Sequence, residues 1–178
     1  MTRDMKAFLL AMGMAGTGLA GTAEAATGGG DSRAQVRQPV TLVSTRDLNF
    51  GTILRGTTAG RVTINARTGA RTATGGAIPV GTGFTSATFT GTASAGRVVT
   101  LSLGAPAITV GRVGGGGAMT VNTFRISSNG SGPQTLPRSY AMPAAGSRAF
   151  AIGARLNLAA NQPDGDYAGS FALTMEYQ

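Results

Sequence analysis

The feature that most constrains this chain is a period of two in its apolar residues, held from Val40 almost to the C-terminus. A strand turns successive side chains to opposite faces, so this alternation builds half-buried strands; a helix would need apolar residues three and four apart. The last two segments carry the pattern most clearly. Phe150, Ile152, Ala154, Leu156 and Leu158 alternate with small or polar partners, among them Arg155 and Asn157. Phe171, Leu173, Met175 and Tyr177 alternate with Ala172, Thr174, Glu176 and Gln178. Between them, Gln162-Pro163-Asp164-Gly165 has type I turn chemistry, with proline presetting φ at the second position and glycine closing the fourth. The two segments are therefore expected to form a terminal hairpin.

The same period organises the rest of the chain. Val40 and Leu42 open it, and Leu48 with Phe50 extends the first strand region to a turn at Gly51. Val62 and Ile64 predict a short strand. Phe84, Ala87 and Phe89 predict another, then Val99, Leu101 and Leu103, then Ile108 and Val110. In Met119, Val121, Phe124 and Ile126 the spacing slips by one, which predicts a bulge. The run Gly114-Gly115-Gly116-Gly117 is expected to be a loop between strands. Short strands, frequent turn signals and no sustained helical period together predict an all-β antiparallel β-sandwich over residues 40–178.

The N-terminus follows a different rule. Arg3 and Lys6 precede an apolar stretch over residues 7–20, and Ala23-Glu24-Ala25 supplies small residues for cleavage between Ala25 and Ala26. A bilayer span needs about 20 apolar residues, so this stretch reads as a cleavable signal peptide, residues 1–25. Export to the periplasm, the cell surface or the medium is expected, with no transmembrane segment in the mature chain. Residues 26–39 form a flexible, glycine-rich leader. What remains is 178 − 25 = 153 residues, one domain's worth, and long enough to bury a core without disulfides. That matters because the chain has no cysteine.

Composition narrows the chemistry further. The chain has 15 basic and seven acidic residues; Arg3, Lys6, Asp4 and Glu24 leave with the signal, so 13 arginines face five carboxylates. The net charge is +8 before and after cleavage. These arginines stand singly, and aromatic residues make up only 6%, so a base-stacking platform for specific nucleic-acid binding is not expected. A solvated basic face suits them better, with attraction to anionic lipid or polysaccharide as the alternative. Without histidine or cysteine there is no Ser-His-Asp triad, imidazole metal site or thiol nucleophile. The single lysine lies in the signal. Asp164 and Asp166 flank a turn glycine and are expected to point into water, and two carboxylates are too few for calcium. The glycine run lacks the Lys-Ser/Thr pair of a phosphate loop. No enzyme, cofactor or metal is expected.

The C-terminal segment carries a resemblance. Gly165, the alternating Phe171, Leu173 and Met175, and the penultimate Tyr177 resemble the C-terminal signature of chaperone–usher pilins. Asp47-Leu48-Asn49-Phe50-Gly51 looks like the first strand of spore-coat-U-like domains. Gly153-Ala154-Arg155-Leu156-Asn157-Leu158 and Gly165-Asp166-Tyr167-Ala168-Gly169-Ser170-Phe171 resemble the bacterial secreted family called domain of unknown function 4402, which would cover roughly residues 40–177. The resemblance implies an immunoglobulin-like, pilin-like sandwich. It also implies a partner interface along Gly165, Phe171, Leu173, Met175 and Tyr177, with a periplasmic chaperone and sibling subunits as partners.

In such assemblies a neighbour's extension fills a missing strand. Here the candidate donor segment would use Ala34, Val36, Val40 and Leu42, although Pro39 removes one backbone donor. The leader serves either as that donor or as a tether. Tyr177 has a plainer reading too: a tyrosine ending an edge strand packs its ring and leaves its hydroxyl in water. The expected function is a non-catalytic envelope protein, a pilin-like surface or fimbrial subunit. The alternative is a monomeric secreted module binding polysaccharide or another envelope protein, for which Tyr140 is the one exposed aromatic expected outside the strand phases.

Overall fold

A computed structural model describes residues 33–178. The expected signal peptide, with Ala23, Ala25 and Ala26, lies outside the described residues. The chain divides into two units, Met1–Gln35 and Val36–Gln178, and the architecture is that of the second.

This unit is an all-β, antiparallel sandwich, with no helix among the described residues. Its strands are β1 (Thr41–Arg46), β2 (Thr52–Ile64), β3 (Arg71–Val80), β4 (Ala87–Thr92), β5 (Val98–Leu103) and β6 (Ala107–Arg112). They continue as β7 (Ala118–Ser128), β8 (Gln134–Thr135), β9 (Arg138–Ala141), β10 (Ser147–Leu158), β11 (Tyr167–Ala168) and β12 (Leu173–Tyr177). Nine strands make one sheet; β12, β5 and β9, in that order, make a smaller second layer.

The long alternating segment Ser147–Leu158 is the spine of the large sheet. β7 pairs along one edge of β10. The other edge is shared: Ser147 to Ile152 pair with β4, and Arg155 to Leu158 pair with β2. The change of partner falls at Gly153, where a Cβ would meet the Ile64 carbonyl oxygen at 2.2 Å and the Ala66 nitrogen at 2.5 Å. Only a residue without a side chain lets the end of β2 close on the spine at that point. β1 lies beyond β4, β3 beyond β2, and β6 then β11 beyond β7. The inward phase of these strands forms the core: Val62, Ile64, Val121, Ile126, Phe150 and Ile152 are each at most 1% exposed.

The bulge expected in β7 is present. Gly153 faces Arg125 but Arg155 faces Asn122, so β7 holds one extra residue, and Thr123 takes a left-handed φ of 53°. The glycine run does join β6 to β7.

Three expectations need correction. β10 and β12 are not a hairpin. Both edges of β10 are already paired, so β12 crosses to the other layer and pairs β5, Leu173 opposite Leu103 and Tyr177 opposite Val99. The turn comes at Ala160 and Asn161, and Gly165 is only a bend. The first strand stops at Arg46: Asn49 Oδ1 accepts from the Gly51 amide at 2.7 Å, forming a local turn, and Leu48 and Phe50 flank a single bridge from Asn49 to Thr85. Finally, the short strand at Val62 and Ile64 is the end of a 13-residue β2 that folds back on β3. β3 offers no bulky period, since its inward residues are Ala73 and Ala77.

Candidate functional site

The smaller layer covers only part of the large sheet. The rest of the inner face opens into a groove of about 1090 Å³, to which β5, β9 and β12 contribute no lining residue. Its floor is the far half of the spine, Leu156 and Leu158, with Val121 of β7. Half-buried side chains rise around them: Phe50 and Ile53 on one wall, Ile108, Val110 and Met119 on the other. Phe171 closes one end, its ring 6.0 Å from Phe89 and 5.3 Å from Phe124.

Charge collects at this rim. Of the four carboxylates among the described residues, Asp47, Asp164 and Asp166 line the groove, and Glu176 lies on β12. Asp164 is 84% exposed, yet Arg55 Nε donates to it at 2.9 Å across the opening. Such an exposed pair contributes little energy but fixes where the rim's charges lie.

Several arginines assigned to a solvated face instead hold backbone. Arg71 donates to the carbonyls of Phe50, Thr52, Val80 and Gly81 and lies 4.4 Å from the Phe84 ring centroid, closing the open end of the β2–β3 pair. Arg112 Nε donates to the Asp164 carbonyl at 2.6 Å. Gly165 sits against that guanidinium with φ of 140°, and a Cβ there would meet Arg112 Nε at 2.6 Å. So Gly165 belongs to the groove wall, apart from β12.

Phe171, Leu173, Met175 and Tyr177 do share one inward face. Met175 is buried; a Cβ on Gly91 of β4 would meet its sulfur at 2.8 Å, so the small residue makes room for it. β12 is an edge strand of the small layer and β1 an edge strand of the large one. The two lie side by side without backbone pairing, each bonded only on its far side.

Tyr177 departs from the expectation of a wet hydroxyl. Its hydroxyl donates to the Gln38 carbonyl at 2.6 Å and accepts from the Ser94 amide at 2.7 Å. The Gln38 amide in turn donates to Ser94 Oγ at 2.9 Å. Both backbone groups of Gln38 are thus gripped by side chains, and Arg37 lies 5.3 Å from the centroid of the Tyr177 ring. Burial pushes the phenol's pKa up, but the Ser94 bonds and the charges of Arg37 and Arg97 outweigh it and hold the group below 10.0.

The candidate donor residues separate. Val40 and Leu42 pack on this chain's own core, whereas Val36 is 95% exposed and Ala34 is exposed. Tyr140 is not an open ligand platform: its ring packs on Phe150 at 5.3 Å, with Arg148 5.5 Å from its centroid. Its buried hydroxyl has no partner, and desolvation raises its pKa against the lowering charges of Arg138 and Arg148.

The arrangement offers a shaped groove with an apolar floor and a charged rim, and backbone edges. Among the described residues no group of three or more acidic, histidine or cysteine side chains could hold a metal ion. No helix there is long and apolar enough to cross a membrane. The groove itself was hidden in the sequence, because its lining residues follow the same period as the core. The one available signal was the concentration of carboxylates in Asp47 and Asp164-Gly165-Asp166.

Comparison with known proteins returned no similar curated protein and no similar solved structure. A family model does match residues 40–177, which span the sandwich from before β1 to the end of β12. On that match the chain belongs to the family described as Domain of unknown function (DUF4402).

Proposed function

We propose that this protein is an exported, non-catalytic structural subunit of the bacterial envelope, pilin-like in its assembly, whose working site accepts an extended strand from a partner. The observation that carries this reading is the groove, with Val121, Leu156 and Leu158 on its floor, together with the unpaired edge of β1, whose Ser44 and Arg46 line it. An incoming strand gains main-chain hydrogen bonds along such an edge and sets its register through alternate side chains placed in the groove. Unpaired edges over apolar surface are otherwise an aggregation hazard, so a dedicated occupant also protects the subunit. The occupant would be a periplasmic chaperone strand before assembly and a sibling's leader after it. Head-to-tail donation of that kind builds an open fibre.

The test is assembly of the mature chain with and without residues 26–36, a deletion that leaves the Gln38 clamp in place, followed by sedimentation and electron microscopy of cell surfaces. The full mature chain should form concentration-dependent oligomers or fibres. The truncated chain should stay monomeric and should bind an added peptide of residues 26–36 with a rise in its melting temperature. A mature chain that is a stable monomer at every concentration, unchanged by the deletion or the peptide, would overturn the proposal.

A further inference from the structure

The outer face of the large sheet has a composition that strand register makes visible. Across β3, β2, β10, β7 and β6, one row of neighbours reads Thr74, Arg61, Asn157, Thr120 and Thr109. The adjacent row reads Thr72, Thr63, Arg155, Asn122 and Ala107. Their in-between neighbours, such as Val62, Val121 and Leu156, point into the core, so these rows share the outward side.

Three properties stand out. No carboxylate lies in either row; the described ones are at the groove rim and on β12. Among the described residues the sole salt bridge is the rim pair of Arg55 and Asp164, so Arg61 and Arg155 have no acidic partner. The buried Nε of Arg155 also finds no acceptor within the chain. The rows therefore present two unneutralised guanidinium groups among amide and hydroxyl side chains.

From this we infer that the outer face binds an acidic polysaccharide, with the carboxylates of its uronic-acid units on Arg61 and Arg155 and its hydroxyls on the Thr and Asn side chains. Strands are spaced about 4.8 Å apart, comparable with the length of one pyranose unit, so five strands offer a track about 19 Å long. Guanidinium groups match carboxylates in geometry as well as charge. The chemistry disfavours other anions: the rows hold no aromatic side chain for a base to stack on, and no large apolar side chain to enter a lipid layer. This site lies on the opposite side of the sheet from the groove and does not depend on the strand-accepting reading.

The test is binding of the mature protein to polygalacturonate, measured at two ionic strengths beside neutral dextran, single-stranded DNA and phosphatidylglycerol vesicles. Arg61→Gln combined with Arg155→Gln should weaken polygalacturonate binding about tenfold, the size expected for losing two close charge contacts partly screened by salt. Arg97→Gln combined with Arg138→Gln, an equal charge change on the small layer, should leave it nearly unchanged. Arg155 is half-buried, so Thr120→Asp, which places a carboxylate in the row at an exposed position, repeats the test without touching an arginine. The inference is overturned if both double variants lose affinity equally, if Thr120→Asp has no effect, or if DNA or vesicles bind as tightly as polygalacturonate.

Discussion

The two halves of β10 have the same alternation and different surroundings. Phe150 is 1% exposed beneath the small layer, against Tyr140 of β9 and close to Met175 of β12. Leu156 and Leu158, only three turns of the pleat away, form the floor of a groove that no strand of the small layer covers. One half has its second layer supplied by this chain; the other does not. A single strand thus shows that an inward-facing apolar period states a need for cover without saying who provides it.

Substitutions in the closed half should cost the most. Phe150→Ala removes a large side chain from a packed site and should cost about 3–5 kcal/mol, read as a loss of unfolding free energy in denaturant. Gly153→Ala should come next, at about 2–3 kcal/mol, because its Cβ cannot coexist with the Ile64 carbonyl and the end of β2 must move. If Gly153→Ala melts like the parent, the shared edge of the spine is not held as described. In the open half, Val110→Ala should cost about 1 kcal/mol or less, since its side chain is half-buried on a groove wall. The same variant should weaken strand-peptide binding more than it lowers stability, which separates a wall residue from a core residue.

Two tyrosines differ in the same way at smaller scale. Tyr177→Phe removes the hydrogen bonds to Gln38 and Ser94 and should lower the melting temperature slightly, with faster tryptic cleavage after Arg37 as the local readout. Tyr140→Phe should have the smallest effect and the opposite sign, because it deletes a buried hydroxyl that has no partner. Since burial raises the Tyr140 pKa, the folded state favours the neutral phenol. Its contribution is complete below 10.0 and is lost as pH rises through the higher folded value. Melting curves taken on either side of that range should therefore fall more for the parent than for Tyr140→Phe.

Much of this fold was legible from residues alone. Phe150 to Leu158, Val99 to Leu103 and the bulge near Phe124 sit where the period put them, because alternation reports facing directly. β3 was not legible, since alanines carry its inward phase and a small side chain marks neither face clearly. The hairpin expected at Pro163 failed for a different reason: turn chemistry is local, but the pairing of β12 was decided by both edges of β10 being occupied. At the site, the inward face of Phe171 to Tyr177 could be read, whereas the hold of Tyr177 on Gln38 joins residues 139 positions apart and leaves no trace in spacing.

That hold has a mechanical consequence. Tension applied through the leader at Val36 would meet the contact of Arg37 with the Tyr177 ring and then Gln38, where Tyr177 and Ser94 grip its carbonyl and amide. Beyond it the chain enters β1, whose ladder with β4 begins at Thr41 opposite Thr92. A pull along a strand strains its hydrogen bonds in parallel, while a pull across it opens them one at a time. The Gln38 clamp lies directly before β1, so one phenol and one serine hold the join between leader and domain ahead of the first strand pairing.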